Sequence, residues 1–428
     1  MILEAPPGVL TEGGKEVDVL IDRCAGLDVH QKTVAVCVRS PGAAKNRREE
    51  VRTFRTFLGE LARMREWLIA EEVTHVAMEA TGVYWKPVWY ALEGGFELLL
   101  VNARHVKAVP GRKTDVKDSS WLAQLLECGL LRASFVPPPA IRELRDLTRY
   151  RKRLIQARTS ETQRVAKVLE DANIKLGSVA SETLGVSGRL MLDALIAGER
   201  DGEALAALAK GRLRDKHDDL AEALVGRFAE HHQLLLGAIL SHVDHLGAAI
   251  ARMDERISVV SAPFDEQLAR LATIPGIGPR SAQVVLAEIG ADMTQFASAA
   301  HLASWAGMCP GNNESAGKKS SGKTRKGDAW LRGMLAECAW SAARTKDTYL
   351  SAQFWRLARR IGREKAAIAV GHTILVIAYH VLLNEADYRD LGGDYFARRT
   401  DTHFLQQRLV RQLEQLGNRV TLEPIPAA

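Results

Sequence analysis

The sequence predicts an α/β layer at its N-terminal end, a long helical middle and a mainly α C-terminal part. Three observations carry this. Between residues 22 and 136, short β-branched runs alternate with helical patterns in the order strand, helix, strand, which is how an α/β sheet is written. Ala140–Asn173 then runs without a helix breaker, and His217–Val260 follows with apolar residues at helical spacing. Beyond residue 264, apolar helical stretches are joined by glycine turns. A chain of 428 residues exceeds what one core usually supports. The pattern divides it into a disordered tail (1–21), an α/β domain (22–136), a helical coiled-coil region (137–262), a mainly α domain (263–395) and a C-terminal tail (396–428).

Composition narrows the function classes. An apolar fraction of 46% and a charged fraction of 26% are ordinary for a soluble protein. No segment is expected to reach the eighteen uncharged apolar residues of a bilayer span, and no membrane partner is expected. The start, MILEAPPGVL, lacks the basic-then-apolar order of a secretion signal. The five cysteines are scattered without a CxxC pair, which argues against zinc or disulfide frameworks and points to a reducing, cytoplasmic setting. The net charge of +6 is unevenly spread, with basic clusters at Arg104–Lys117, Arg142–Arg164 and Lys318–Lys326. Such clustering is the footprint of a polyanion, and nucleic acid is the first partner to test.

Within the α/β domain, CAGLDVHQKTVAVCVRS reads as a hairpin whose first strand ends on Asp28, with a polar turn at His30–Lys32. A further strand is expected over Glu50–Phe57, a helix over Leu58–Ala70, and a strand over His75–Ala80 that presents Glu79 at its end. A helix over Val83–Glu93 and a strand over Phe96–Val101 complete the layer. Open α/β sheets place ligands at strand ends, where Asp28 and Glu79 fall. A helix starting near Thr114 puts Asp115 and Asp118, three apart, on one face. Four acids at element ends match a two-metal phosphodiester site, with oxygen ligands suited to magnesium. The plain alternative is turn and cap residues, with Lys113 and Lys117 as surface partners.

GLDVHQKT, MEATGVYW and KTDVKDS resemble the three motifs of the DEDD domain in the IS110 family of insertion-sequence transposases. The resemblance implies a RuvC-like (RNase H-like) fold. It places Asp28, Glu79, Asp115 and Asp118 on the family's four metal-binding carboxylates and makes Mg2+ the expected cofactor.

In the middle region, arginines interleave the apolar stripe of Ala140–Asn173, and Arg149 and Arg153 are expected, with Lys113, to contact a phosphate backbone. The stripe of the second long helix includes His231 and His242, read as packed or capped residues rather than metal ligands. It must bury itself on another helix, in this chain or in a second copy, and association through this arm is expected.

LARLATIPGIGPRSAQVVLAEIG carries two helices around a Pro-Gly-Ile-Gly-Pro turn. It looks like a helix-hairpin-helix element, with Gly276 and Gly278 letting backbone amides approach a phosphate. Downstream, PGNNESAGKKSSGKTRKG reads by itself as a flexible basic loop. With its flanks it is similar to the second domain of the same family, which bears a nucleophilic serine. That serine falls on Ser315, with Ser320 and Ser321 as a rival register. Lys318, Lys319, Arg325 and Lys326 are placed to stabilise charge on a phosphoryl group. No Ser-His-Asp arrangement accompanies Ser315, which disfavours acyl chemistry.

The resemblance implies a DNA transposase/recombinase that forms a covalent phosphoserine link. The serine and the carboxylates would work as one composite site on donor and target DNA, guided by a structured bridge RNA. A homo-oligomer, dimer or tetramer, is expected from strand exchange. Two other readings stay open: a RuvC-like junction resolvase using metal-activated water, and a non-catalytic nucleic-acid-binding scaffold.

Overall fold

A computed structural model describes residues 19–42, 46–80, 82–103, 106, 118–309, 314–315, 318–319, 324, 327–399 and 402–422, with backbone only at 314–315, 318–319, 402–405 and 408. Two compact units meet at the Val136/Pro137 junction, just before the proline run.

The first unit holds a five-stranded mixed sheet of order β3-β2-β1-β4-β5. Its strands are β1 (Cys24–Val29), β2 (Thr33–Pro41), β3 (Arg47–Arg55), β4 (His75–Glu79) and β5 (Glu97–Val101). β1, β2 and β3 form an antiparallel meander, and β4 and β5 add in parallel beside β1. The helices are α1 (Leu58–Ala70), α2 (Trp85–Leu92) and α3 (Asp118–Glu127).

Strand alternation decides the two faces. Ala25, Leu27, Val29, Val34, Val36, Val38, Val76 and Met78 pack with Leu61, Met64 and Leu68 of α1 and Val88, Trp89 and Leu92 of α2. Full burial of each such aliphatic side chain contributes about 1.5–3 kcal/mol. The opposite face carries Cys24, Ala77 and, between them, Gly26. Leu126 of α3 clusters with Cys24 and Ala77 there. α3 is held on that face by charge as well as packing. The nearly buried Glu127 receives Arg39 Nε at 3.0 Å and Arg47 Nε at 2.6 Å, and Ser120 Oγ donates to Glu49 at 2.7 Å.

The second unit is helical. α4 (Pro139–Asp171) leads through α5 (Leu176–Val179), α6 (Val186–Ala197), α7 (Gly202–Ala206) and α8 (His217–Ala223) to α9 (Glu230–Ser261). α4 and α9 pack antiparallel. Asp171 meets His232, Glu161 meets His242, Arg151 meets Asp254 and Glu143 meets Arg256, one sequence rising as the other falls. Leu154, Leu246 and Ile250 fill the seam midway. The stripe on α9 therefore has its partner within the chain.

The long helix expected over His217–Val260 is interrupted. The Arg227 N–H donates to Ala172 O at 2.8 Å and the Lys175 N–H to Ala223 O at 2.7 Å, stitching residues 224–229 to the end of α4. Restarting at Glu230 shifts the phase, so His232, with Leu236 and Leu240, is buried where the stripe predicted His231.

The rest comprises α10 (Asp265–Ala272), α11 (Pro279–Ile289), α12 (Ala299–Trp305), β6 (Glu314–Ser315), β7 (Lys318–Lys319), α13 (Ala329–Ala342), α14 (Tyr349–Ile361), α15 (Arg363–Leu383), α16 (Tyr395–Arg398) and α17 (Thr402–Gln415). α14 had no counterpart in the sequence reading. The expectation about long apolar runs also needs correcting. Glu230–Ala272 and Arg363–Leu383 are each long and apolar enough to cross a membrane by length and composition. In α15 the apolarity has a structural cause: Val370, Gly371, Ile374, Leu375, Ala378 and Leu382 are all buried.

Candidate functional site

Three acids lie toward one end of the sheet. β1 and β4 are parallel neighbours, paired through Gly26 with Ala77 and Leu27 with Met78. Asp28 and Glu79 are the next residue on each strand, so they stand side by side at the two C-terminal ends. By alternation they share the face of Gly26 and Ala77, which is the face α3 covers. α3 runs back along β1, because its start lies against Gly26 while Ala123 O faces Cys24 Sγ at 3.5 Å and Glu127 O meets Leu20 and Ile21. Its first residue, Asp118, thus opens the helix at the acid-bearing end.

Gly26 makes that approach possible. A Cβ there would lie 2.3 Å from both Ser119 O and Ala123 N, so only a residue without a side chain lets α3 sit this close. His30 is a site neighbour that the sequence reading treated only as a turn. Its Nε2 is 3.1 Å from Asp28 Oδ2, and it orients that carboxylate. The Asp-x-His spacing at the strand end was the available signal. Asp115 and Lys113 lie outside the described residues.

Carboxylate oxygens from two strand ends and a helix start suit a hard divalent cation. Among the described residues, the group whose ligand atoms lie within 4.8 Å of one another is a different one, Asp171, His231 and His232. It reads as a helix cap. His232 Nδ1 accepts the Ala229 N–H at 3.1 Å and Nε2 faces Asp171 Oδ2 at 2.9 Å, so both ring nitrogens are already engaged.

In the second unit, Ser315 sits in a two-stranded antiparallel ladder, opposite Lys318, with Glu314 opposite Lys319. Paired backbone thus stands where a flexible loop was expected. The side chains of Ser315, Lys318 and Lys319, and all of Ser320, Ser321, Arg325 and Lys326, lie outside the described residues. The two feet of this segment are firmly seated. Met308 is buried, and a Cβ on Gly327 would lie 2.4 Å from Ala306 O and Gly307 N. Asp328 follows and caps α13, accepting the Trp330 and Leu331 N–H groups at 2.9 and 3.0 Å.

Arg149, expected on a phosphate backbone, is committed inside the fold. Its Nε and one terminal nitrogen each hold a Glu288 oxygen at 2.7 Å, and it reaches Asp328 at 3.2 Å. Arg145 adds bonds to Ala287 O, Glu288 O and the Glu288 carboxylate. Glu288 is wholly buried, and that burial pushes its carboxyl up to about 7. The network ties α4 and α11 to the foot of the serine segment. Arg153 is exposed, with its guanidinium 5.5 Å from the Trp330 ring centre.

At the glycine turn, Gly276 adopts φ +93°, and a Cβ there would lie 2.3 Å from Cys338 O. It packs on α13. Gly278 opens α11 with open space around it, so its end of the turn faces solvent.

Comparison with known proteins agrees with this layout. Residues 25–174 match a family model described as a transposase, and residues 268–356 match one described as the transposase IS116/IS110/IS902 family. A "Probable family 20 transposase" of Pseudomonas aeruginosa is 27% identical over 73% of this chain and 85% of its own length. A protein named as a transposase in Sinorhizobium fredii is 27% identical over 75% and 76%. The insertion element IS900 uncharacterized 42 kDa protein of Mycobacterium paratuberculosis is 26% identical over 69% and 79%. The two transposase domains and the named relatives define an enzyme that cuts and rejoins DNA. The chain belongs to the IS110 family of transposases.

Proposed function

We propose that this transposase uses the RuvC-like arrangement of Asp28, Glu79, Asp118 and Asp115 to hold Mg2+, and Ser315 as the nucleophile. The observation that carries the metal part is the placement of Asp28 and Glu79 on adjacent parallel strand ends with Asp118 opening the helix across them. When bound, the cation would supply charge neutralisation at a phosphodiester and lower the pKa of a coordinated hydroxyl. The chain's own residues do the rest. Asp28 is oriented by His30, and Gly26 lets α3 bring Asp118 to the strand ends.

The serine part rests on the family resemblance and on the seated feet of the segment that bears Ser315. Its hydroxyl would attack phosphorus, lose its proton and expel a deoxyribose hydroxyl, leaving a phosphoserine link. Lys318, Lys319, Arg325 and Lys326 are the nearby residues in sequence that would balance the developing charge. Arg153, Lys113 and the Gly276–Gly278 turn are kept as backbone contacts. Arg149 serves the fold.

Guidance by a bridge RNA, a dimeric or tetrameric assembly, a cytoplasmic setting and independence of membranes complete the proposal. Incubation with labelled DNA, magnesium and copurified RNA should yield a covalent protein–DNA adduct mapping to Ser315. The adduct should vanish in Ser315→Ala and, if both parts are needed, in Asp28→Asn. Normal cleavage and rejoining by Ser315→Ala would instead favour metal-activated water.

A further inference from the structure

We infer that the exposed face of α14, its junction with α15 and the short helix α16 form a second, sequence-independent contact surface for a nucleic-acid backbone. The inference rests on the chain being a DNA transposase. It does not depend on the serine or the metal.

The charge is concentrated. Residues 344–365 hold seven basic residues, Arg344, Lys346, Arg356, Arg359, Arg360, Arg363 and Lys365, against Asp347 and Glu364. This stretch of twenty-two residues therefore carries a net +5 in a chain whose whole net charge is +6. It is not one of the three clusters picked out along the sequence, and the matched family domain stops at residue 356, before Arg359, Arg360, Arg363 and Lys365.

Helix geometry turns the cluster into one face. Leu350, Ser351 and Phe354 are buried and fix which side of α14 packs inward. Trp355, Arg356, Arg359 and Arg360 lie on the outward side and are exposed, as is Arg363 at the start of α15. Arg356, Arg359, Arg360 and Arg363 have no ion pair with a carboxylate among the described residues, in contrast to Arg149 and Arg151. Arginines left unpaired on one face repel one another, and a fold gains nothing from keeping them there unless an anion joins them.

Aromatic rings stiffen the surface. Arg356 lies 4.1 Å from the Phe396 ring centre, Arg363 5.6 Å from Trp355 and Arg399 5.3 Å from Tyr395. Tyr349, Tyr395 and Phe396 pack at centroid distances of 5.0 to 5.3 Å. Trp355 is itself pinned by its Nε1 donating to Ala343 O at 3.1 Å, yet it stays 43% exposed. Guanidinium groups held over rings keep their planar forks pointed outward, which suits the bidentate geometry of phosphate oxygens. Alternating arginines and partly open rings recur on surfaces that follow a nucleic-acid backbone without reading bases.

The test uses the full chain and a triple substitution, Arg359→Gln with Arg360→Gln and Arg363→Gln. Binding to a mixed-sequence DNA duplex and to a folded mixed-sequence RNA is measured across a salt series. The expected result is weaker binding to at least one of the two, with the salt slope shrinking by about one for each arginine that contacts phosphate. The arm that loses affinity identifies the strand type. The corresponding Arg→Lys triple should recover most of the slope, which a purely structural role would not produce. Each single Gln variant carries the same test if the triple fails to fold. Unchanged affinity and slope on both probes overturn the proposal, and so does a loss confined to anionic phosphatidylserine vesicles. The catalytic reading is scored by the covalent adduct and this one by the salt series, so failure here and failure of the catalytic reading are distinguishable.

Discussion

Arg149 grips Glu288 with two parallel hydrogen bonds of 2.7 Å, and one of its nitrogens also reaches Asp328, the residue that caps the helix after the serine segment. A side chain that looks like part of a basic stripe thus holds together α4, α11 and the start of α13. Four predictions follow from relationships of this kind.

Arg149→Ala should lower the unfolding free energy, by at most about 3–5 kcal/mol, because it strips a buried carboxylate of its two-pronged partner and leaves it Arg145 alone. Urea unfolding of the full chain measures it. An unaltered unfolding midpoint together with weakened DNA binding would return Arg149 to the phosphate-contact role.

Glu288 makes stability depend on pH. Burial raises its carboxyl to about 7 in the fold, against the ordinary 4.5 of a glutamate in the unfolded chain. Between those values the native state binds more protons than the unfolded state. The contribution is therefore complete below about 4.5 and is lost as pH rises through about 7. Glu288→Gln cannot ionise, so the gap in stability between it and the parent should change across that window, with the parent losing ground as pH rises. Parallel pH curves would contradict the assignment.

Asp28→Asn, Glu79→Gln and Asp118→Asn should each cut strand cleavage by about 10²–10³-fold, the scale of removing one electrostatic stabiliser from an active site. His30→Ala should cost less, about 10–100-fold, because it only orients Asp28. Chelation of divalent cations should abolish cleavage in the parent. Thermal melting should stay near the parent's for all four variants, which separates chemistry from folding.

Gly26→Ala tests the frame of the site without touching an acid. Its Cβ would meet backbone atoms of Ser119 and Ala123 at 2.3 Å, which a flexible side chain cannot relieve. Destabilisation at or above the usual 1–3 kcal/mol of overpacking is expected (roughly that scale), together with loss of cleavage as α3 moves Asp118 away. Activity equal to the parent's would show that the closeness of α3 is dispensable.

Much of the first unit was legible along the chain. β-branched alternation at Thr33–Val38, the helical pattern of Leu58–Ala70 and the apolar run before Glu79 are local signals, and the elements formed there. Helix ends were less legible. The chain breaks at 224–229, where the Arg227 N–H donates to Ala172 O and the Lys175 N–H to Ala223 O, and no local pattern reports bonds between residues some fifty apart. α14 was missed because its outward face is so basic that its apolar stripe, Leu350 and Phe354, is thin.

What the sequence by itself determined is the chemistry available: acids at Asp28, Glu79 and Asp118 on the ends of strongly patterned elements, and two stretches typical of one transposase family. Residue type and short-range spacing suffice for that, because side-chain periodicity is a local property. Tertiary structure alone decided which neighbours those groups have. Asp28 stands beside Glu79 because β4 pairs in parallel with β1, and Asp118 joins them because Gly26 admits α3. By the same token, Arg149 was paired with carboxylates while the arginines of α14 were left exposed without an ion pair among the described residues. Charge is written in the sequence, but whether a charge meets a carboxylate depends on contacts between segments far apart in the chain.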